Sequence, residues 1–192
     1  MVELPEMSQL TSNIPAPLDR IIAQAGRVAI VCDLLEAIAD SLPAPAAGAC
    51  AEAARLCALE IPRHFDEVQN ALIPVLREHV RQKSQWDLLL DQLERNIAED
   101  NVRLEELIEV LWTFNDTKTR RLNSEALGYV LRGYFEGMRR QLSWEEAILT
   151  PISLRVLREA DLKTIASSMA KRAAGHKGLG LKELSGAKRS IH

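Results

Sequence analysis

The stretch Ile61-Pro62-Arg63-His64-Phe65-Asp66-Glu67-Val68-Gln69-Asn70-Ala71-Leu72-Ile73-Pro74 decides how the chain is read. Ile61, His64, Val68 and Leu72 recur at steps of three and four residues, which places them on one face of a helix. Followed outward, that face takes in Cys50, Ala54 and Cys57 on one side and Val75 on the other, so one helix is expected from about Ala46 to Arg81. Pro62 and Pro74 each remove a backbone donor and crowd the preceding turn, so bends are expected at both. His64 interrupts an otherwise apolar stripe, and an imidazole buried there requires a hydrogen-bonding partner.

The same periodicity runs through the rest of the chain. Residues 1–15 are polar, carry two prolines and show no period; they are read as a loose arm. Pro17 opens a first helix at its first turn, with Leu18, Ile21, Ile22, Ala25, Val28, Ala29, Cys32, Leu35 and Ala39 on one face, and Pro43-Ala44-Pro45 ends it. Ser84 is a cap for a third helix whose seam is Leu90, Leu93, Ile97, Leu104, Leu107 and Leu111. Asn115-Asp116-Thr117 reads as a loop. A fourth helix is expected from Ser124 to Arg158, with Leu127, Leu131, Tyr134, Met138, Gln141, Glu145, Ile148 and Ile152 inward. A short fifth fits Glu159–Ala173, and residues 174–192 read as a flexible basic tail. No strand signal and no internal repeat is present, so the expected fold is all-α, an up-down-up-down antiparallel four-helix bundle over residues 16–173.

Composition narrows the function classes. The net charge of -3 announces no partner, but residues 1–117 hold 9 Lys/Arg against 20 Asp/Glu and residues 118–192 hold 15 against 7. That division suits self-association into a homo-oligomer or attraction of an acidic protein; it equally suits neighbouring helices with complementary solvated faces. No stretch reaches the roughly 18 apolar residues that a membrane span needs. The acidic start MVELPEMSQL lacks a secretory pattern, and three cysteines make no disulfide framework, so a cytoplasmic location is expected. The basic residues Lys171, Arg172, Lys177, Lys182, Lys188 and Arg189 lack interleaved aromatics, so solubility rather than nucleic-acid binding explains them.

The frame Pro62-x-His64-Phe65, followed by Leu72-Ile73-Pro74, resembles the second helix of the hemerythrin-like (HHE cation-binding) family. Pro17-Leu18-Asp19 with Cys32-Asp33-Leu34-Leu35-Glu36 resembles its first helix, Leu93 to Asp100 its third, Trp144 to Pro151 its fourth, and Leu157 to Ala170 its terminal helix. The resemblance implies a metal site built from histidines and carboxylates inside a four-helix bundle, and a background of oxygen, nitric oxide or iron sensing.

It also implies where ligands belong. The first-helix histidine falls on Ala25. The second-helix histidine falls on His64, and its glutamate on Val68. The third-helix positions are Ile97 and Asn101. The fourth-helix histidine falls on Gln141, with Glu145 and Glu146 available as its carboxylate. Ala, Val and Ile coordinate nothing, while Gln and Asn are weak donors to a transition metal. The expectation is therefore a degenerate site with no catalytic residue, no metal, and a hydrogen bond from His64 to Glu145 or Glu146. The protein would be a non-enzymatic binding or regulatory scaffold for a protein partner or small ligand. The alternative is a rearranged site holding iron, manganese or zinc through His64, Glu67 and Glu145 or Glu146.

Three further features carry weaker signals. Cys50, Cys57 and His64 lie at seven-residue steps, and Cys32 follows Ala25 by seven, which puts Cys32 and Cys57 in one layer. A thiol pair there is either core packing or a redox or soft-metal site. Trp112, Trp144, Tyr129 and Tyr134 read as core and rim packing, and His79, His176 and His192 as solvent-facing.

Overall fold

The computed structural model describes residues 14–46, 48–80, 82, 84–114 and 123–187, with side chains as far as residue 174. The arm residues 1–13, the loop 115–117 and residues 188–192 lie outside that description. Among the described residues there is helix and no strand. Five helical rods follow one another. They are α1 (Ala16–Ser41), α2 (Ala49–Glu67) continuing into α3 (Ile73–His79), α4 (Gln85–Thr113), α5 (Ser124–Trp144) continuing into α6 (Thr150–Val156), and α7 (Glu159–Ala187). No helix among them is long and apolar enough to cross a membrane.

Local chemistry sets the ends. Pro17 sits in the first turn of α1, where its missing N–H costs nothing, and Asp19 answers the positive helix end. The helix stops at Leu42, held extended at ψ 144 by the following Pro43. Gly48 opens α2 at φ 79, a left-handed conformation that suits glycine. Ser84 accepts a bond from the Asp87 N–H at the start of α4, and Asn123 accepts one from Ala126 at the start of α5, at 2.8 Å.

The breaks inside the second and fourth rods are π turns, Val68–Leu72 and Glu145–Leu149. They are built alike. Ile73 donates to the Val68 carbonyl and Thr150 to the Glu145 carbonyl, five residues back instead of four, and a proline follows each at once. Widening the turn relieves the clash of a proline ring with the carbonyl four residues earlier. The bend expected at Pro74 is this turn, whereas α2 runs through Pro62 without a break in helix type. Although no repeat shows in the sequence at large, His64 precedes Pro74 by the same ten residues that separate Gln141 from Pro151.

One hydrophobic core takes residues from all five rods. α1 packs along α2 and α5, and α2 also along α4; α4 and α5 touch over a shorter stretch. The α4 seam is buried as expected, from Leu90 to Leu111. Full burial of each such Leu or Ile contributes about 1.5–3 kcal/mol, against about 1 kcal/mol for a typical cap. The fourth rod departs from expectation beyond Glu145. Leu149 and Ser153 are buried there, not Ile148 and Ile152, because the π turn inserts a residue and rotates the inward face by about 100°.

α7 is longer than the short fifth helix expected, since its backbone is helical to Ala187. It crosses the first π turn, α1 and α3. Pro74 cannot donate to the Asn70 carbonyl, and α7 takes that place: Ser168 and Arg172 donate to it at 3.4 and 3.3 Å. Arg172 also holds Asp66 at 3.0 Å, and His79 meets Asp161 at 2.9 Å, so His79 is paired with a carboxylate instead of standing free in solvent. Trp112 and Tyr129 are exposed, the latter to 82%, contrary to the expected packing role; Tyr134 is buried and Trp144 packs against the core.

Candidate functional site

The inward seam of α2 carries His64 into the core, where it is fully buried. Glu145 opens the second π turn and is 5% exposed. His64 Nε2 lies 2.8 Å from Glu145 Oε2 in a buried contact, and Gln141 Nε2 donates to the other oxygen, Oε1, at 3.2 Å. With the carboxylate ionised and so only accepting, the imidazole hydrogen would sit on Nε2. His64 Nδ1 has no hydrogen-bond partner among the described residues. The contact is the one expected between His64 and a fourth-helix carboxylate, and Glu145 rather than Glu146 makes it; Glu146 is exposed.

The other expected site positions divide. Val68 and Ile97 are fully buried and apolar. Asn101 is half-buried and stands outside the hydrogen-bonded set. Glu67 does not reach His64. It is buried, but its Oε1 accepts from Arg20 Nη2 at 2.7 Å and Nε at 3.0 Å, with Arg63 at 3.7 Å. Two guanidiniums from outside the core outcompete a lone imidazole for that carboxylate. Ala25 is half-buried and borders a cleft; Gln24 takes the inward position on α1. The Gln24 amide donates to the Glu60 carbonyl at 3.0 Å and to its carboxylate at 2.9 Å, and Arg27 closes the knot by donating to Gln24 and pairing with Glu60 at 3.3 Å.

These positions do not fit a metal centre. The hydrogen-bonded set offers one imidazole and one carboxylate, already bound to each other, and its remaining member is an amide. Among the described residues no three His, Cys, Asp or Glu side chains converge to hold an ion. A di-iron or di-manganese bundle site needs several such ligands at once.

Cys32 and Cys57 are both fully buried, and all three cysteines are free thiols. Burial pushes the Cys57 thiol up to about 12, with the nearby Cys32 adding to the effect. Burial pushes Cys32 up to about 11, partly offset by Arg139. Tyr134 is raised as well, by burial first and then by Cys57 and Asp100. Thiols held so far above neutral carry almost no thiolate, the reactive form.

Glu145 also borders a cleft of about 610 Å³ between α1 and the fourth rod. Leu18, Ile21 and Ile22 line one side, Leu142 and Leu149 the other, and Leu72 closes part of it. Its polar lining includes Glu145, Glu146, Ser143, Thr150, Ser153 and Arg139. Periodicity alone did not reveal this cleft. Its signals are the run of small residues Ala25, Gly26 and Ala29 on α1 and the rotation that the π turn gives to Leu149 and Ser153. On the far side of Gln141 a polar cleft of about 330 Å³ between α4 and α5 holds Asp100, Arg103 and Arg140, and burial holds the Asp100 carboxyl above its usual range.

No protein-family model matches this chain, and neither a curated protein nor a solved structure shows detectable similarity to it.

Proposed function

We propose that this chain is a non-enzymatic, hemerythrin-like bundle, with its four long rods alternating up and down, that works as a cytoplasmic binding or regulatory scaffold. The observation that carries the reading is the 2.8 Å pair of His64 and Glu145. It joins the second and fourth rods at the positions where the resemblance puts metal ligands, with Gln141 on the carboxylate's other oxygen. An imidazole and a carboxylate that satisfy each other hold the core in register, and Val68 and Ile97 fill positions that ligands would otherwise take. The nearby apolar cleft supplies a place for a small ligand, which suits a scaffold. The test is elemental analysis and an absorption spectrum of protein purified without chelator. Substoichiometric metal and a featureless visible spectrum are expected. Stoichiometric iron, manganese or zinc would replace this reading with that of a rearranged metal site.

A further inference from the structure

We infer that the cleft between α1 and the fourth rod binds a small primary amine carried on an apolar body, with Glu145 receiving the ammonium group. The inference rests on the reading above, that the bundle is a metal-free binding scaffold, and it names the ligand class.

The walls give the apolar part. Leu18, Ile21, Ile22, Leu142 and Leu149 present aliphatic surface around a volume of about 610 Å³. Clefts of roughly 300–1,000 Å³ suit small-molecule ligands. Gly26 is exposed where it lines the cleft, and a side chain added there would meet nothing within 4 Å, so α1 leaves open space at the cleft mouth.

The charges give the head group. Glu145 and Glu146 both line the cleft, one deep and one on the rim. Arg139 is the cation among the lining residues, and its guanidinium is already bound by Asp33 at 2.6 Å and Glu36 at 2.7 Å. An anionic ligand would therefore face two carboxylates and a guanidinium whose charge Asp33 and Glu36 already offset, whereas an ammonium is attracted. Glu145 also has acceptor capacity left. His64 takes a lone pair on Oε2 and Gln141 one on Oε1, and each carboxylate oxygen can accept a second bond. A charged N–H···O bond in a nearly dry site is stronger than a neutral one.

The test compares n-octylamine, n-octanol and octanoate, which share a chain and differ in the head, by calorimetry with the full-length protein at neutral pH. Octylamine should bind at least about ten-fold tighter than octanol, and octanoate weakest of the three. Gly26→Leu should weaken octylamine binding with an unchanged circular dichroism spectrum, since it adds bulk at a residue that lines the cleft and has open space around it. Glu145→Gln should erase the preference for octylamine over octanol. Should that change disturb the core, Glu146→Lys on the exposed rim serves instead and should weaken octylamine by about five- to ten-fold. Equal affinities for the three probes, no octylamine binding by the unaltered protein, or full binding by Gly26→Leu would each overturn the inference. Metal content measured on the same preparation keeps the two readings separate. Stoichiometric metal with octylamine still bound would defeat the scaffold reading alone, and metal-free protein that ignores octylamine would defeat this one alone.

Discussion

His64 and Glu145 are 81 residues apart in the chain, and their side chains meet at 2.8 Å inside the core. Each is the other's means of being buried. Removing one strands the other, while removing both leaves only the Gln141 amide to find another acceptor.

His64→Leu should therefore lower the unfolding free energy by roughly 1–3 kcal/mol in urea titration, because Glu145 keeps only Gln141. The double replacement His64→Leu with Glu145→Leu should recover most of that loss. A neutral single variant, or a double variant with fully additive losses, would show that the pair does not hold the rods together.

The thiols make an alkaline prediction. In the folded state Cys32 and Cys57 titrate near 11 and 12, above the 9.0 of a free thiol. A group whose folded value is raised lends its full contribution to stability below its unfolded value and loses it as pH climbs toward the folded one. Stability should thus decline from about pH 9 upward, and the double variant Cys32→Ala with Cys57→Ala should show a shallower decline. At pH 7.5 a thiol reagent should modify both slowly in the native protein and quickly in denaturant. Fast native labelling of both would point to redox work.

Arg77 gathers three carboxylates, Asp87 at 2.7 Å and Asp91 and Glu94 at 2.6 Å, and so ties the end of the second rod to the start of α4. Arg77→Met should cost about 1–2 kcal/mol at low salt. The deficit should shrink in 1 M salt as the remaining carboxylates are screened from one another. A loss that does not depend on salt would assign Arg77 a packing role instead.

α7 should be separable from the rest. Arg172→Ala removes a donor to the Asn70 carbonyl and the bond to Asp66. Amide exchange along α7 should quicken several-fold, while α4 amides keep their protection and global stability falls by roughly 0.5–1 kcal/mol. Uniform acceleration through all five rods would mean that α7 is integral to the cooperative core.

The sequence is most readable where a helix stays α-helical. On α4 every seam residue from Leu90 to Leu111 was legible, because a 3.6-residue period applied to apolar residues over its whole length. Seven-residue spacing likewise put Cys32 and Cys57 on inward faces, and both are fully buried. Past Glu145 the count slipped by one, and Ile148 and Ile152 gave way to Leu149 and Ser153, since periodicity does not register a π turn. On α1 a polar residue, Gln24, took the inward place that a hydrophobic count awards to Ala25; what settles it is Glu60, on another helix. The His64–Glu145 contact was legible because few partners could satisfy a buried imidazole. The cleft was not, for it depends on what α1 leaves unfilled. The length of α7 was obscured by the Gly- and Lys-rich composition after Ala174.

The paired π turns bear on how this chain could change over time. Each couples a proline to one surplus residue that relieves the ring's clash, although Pro62 shows that an α-helix here can also hold a proline without one. A descendant that lost Pro151 but kept all five residues of Glu145–Leu149 would be free to tighten into regular α-helix, swinging either Glu145 or Ser153 out of the interior. A descendant that lost one residue and kept the proline would drive the ring into the carbonyl behind it. Relatives of this protein should therefore show a linked proline replacement and single-residue gap there more often than either change alone, and the same should hold at Pro74.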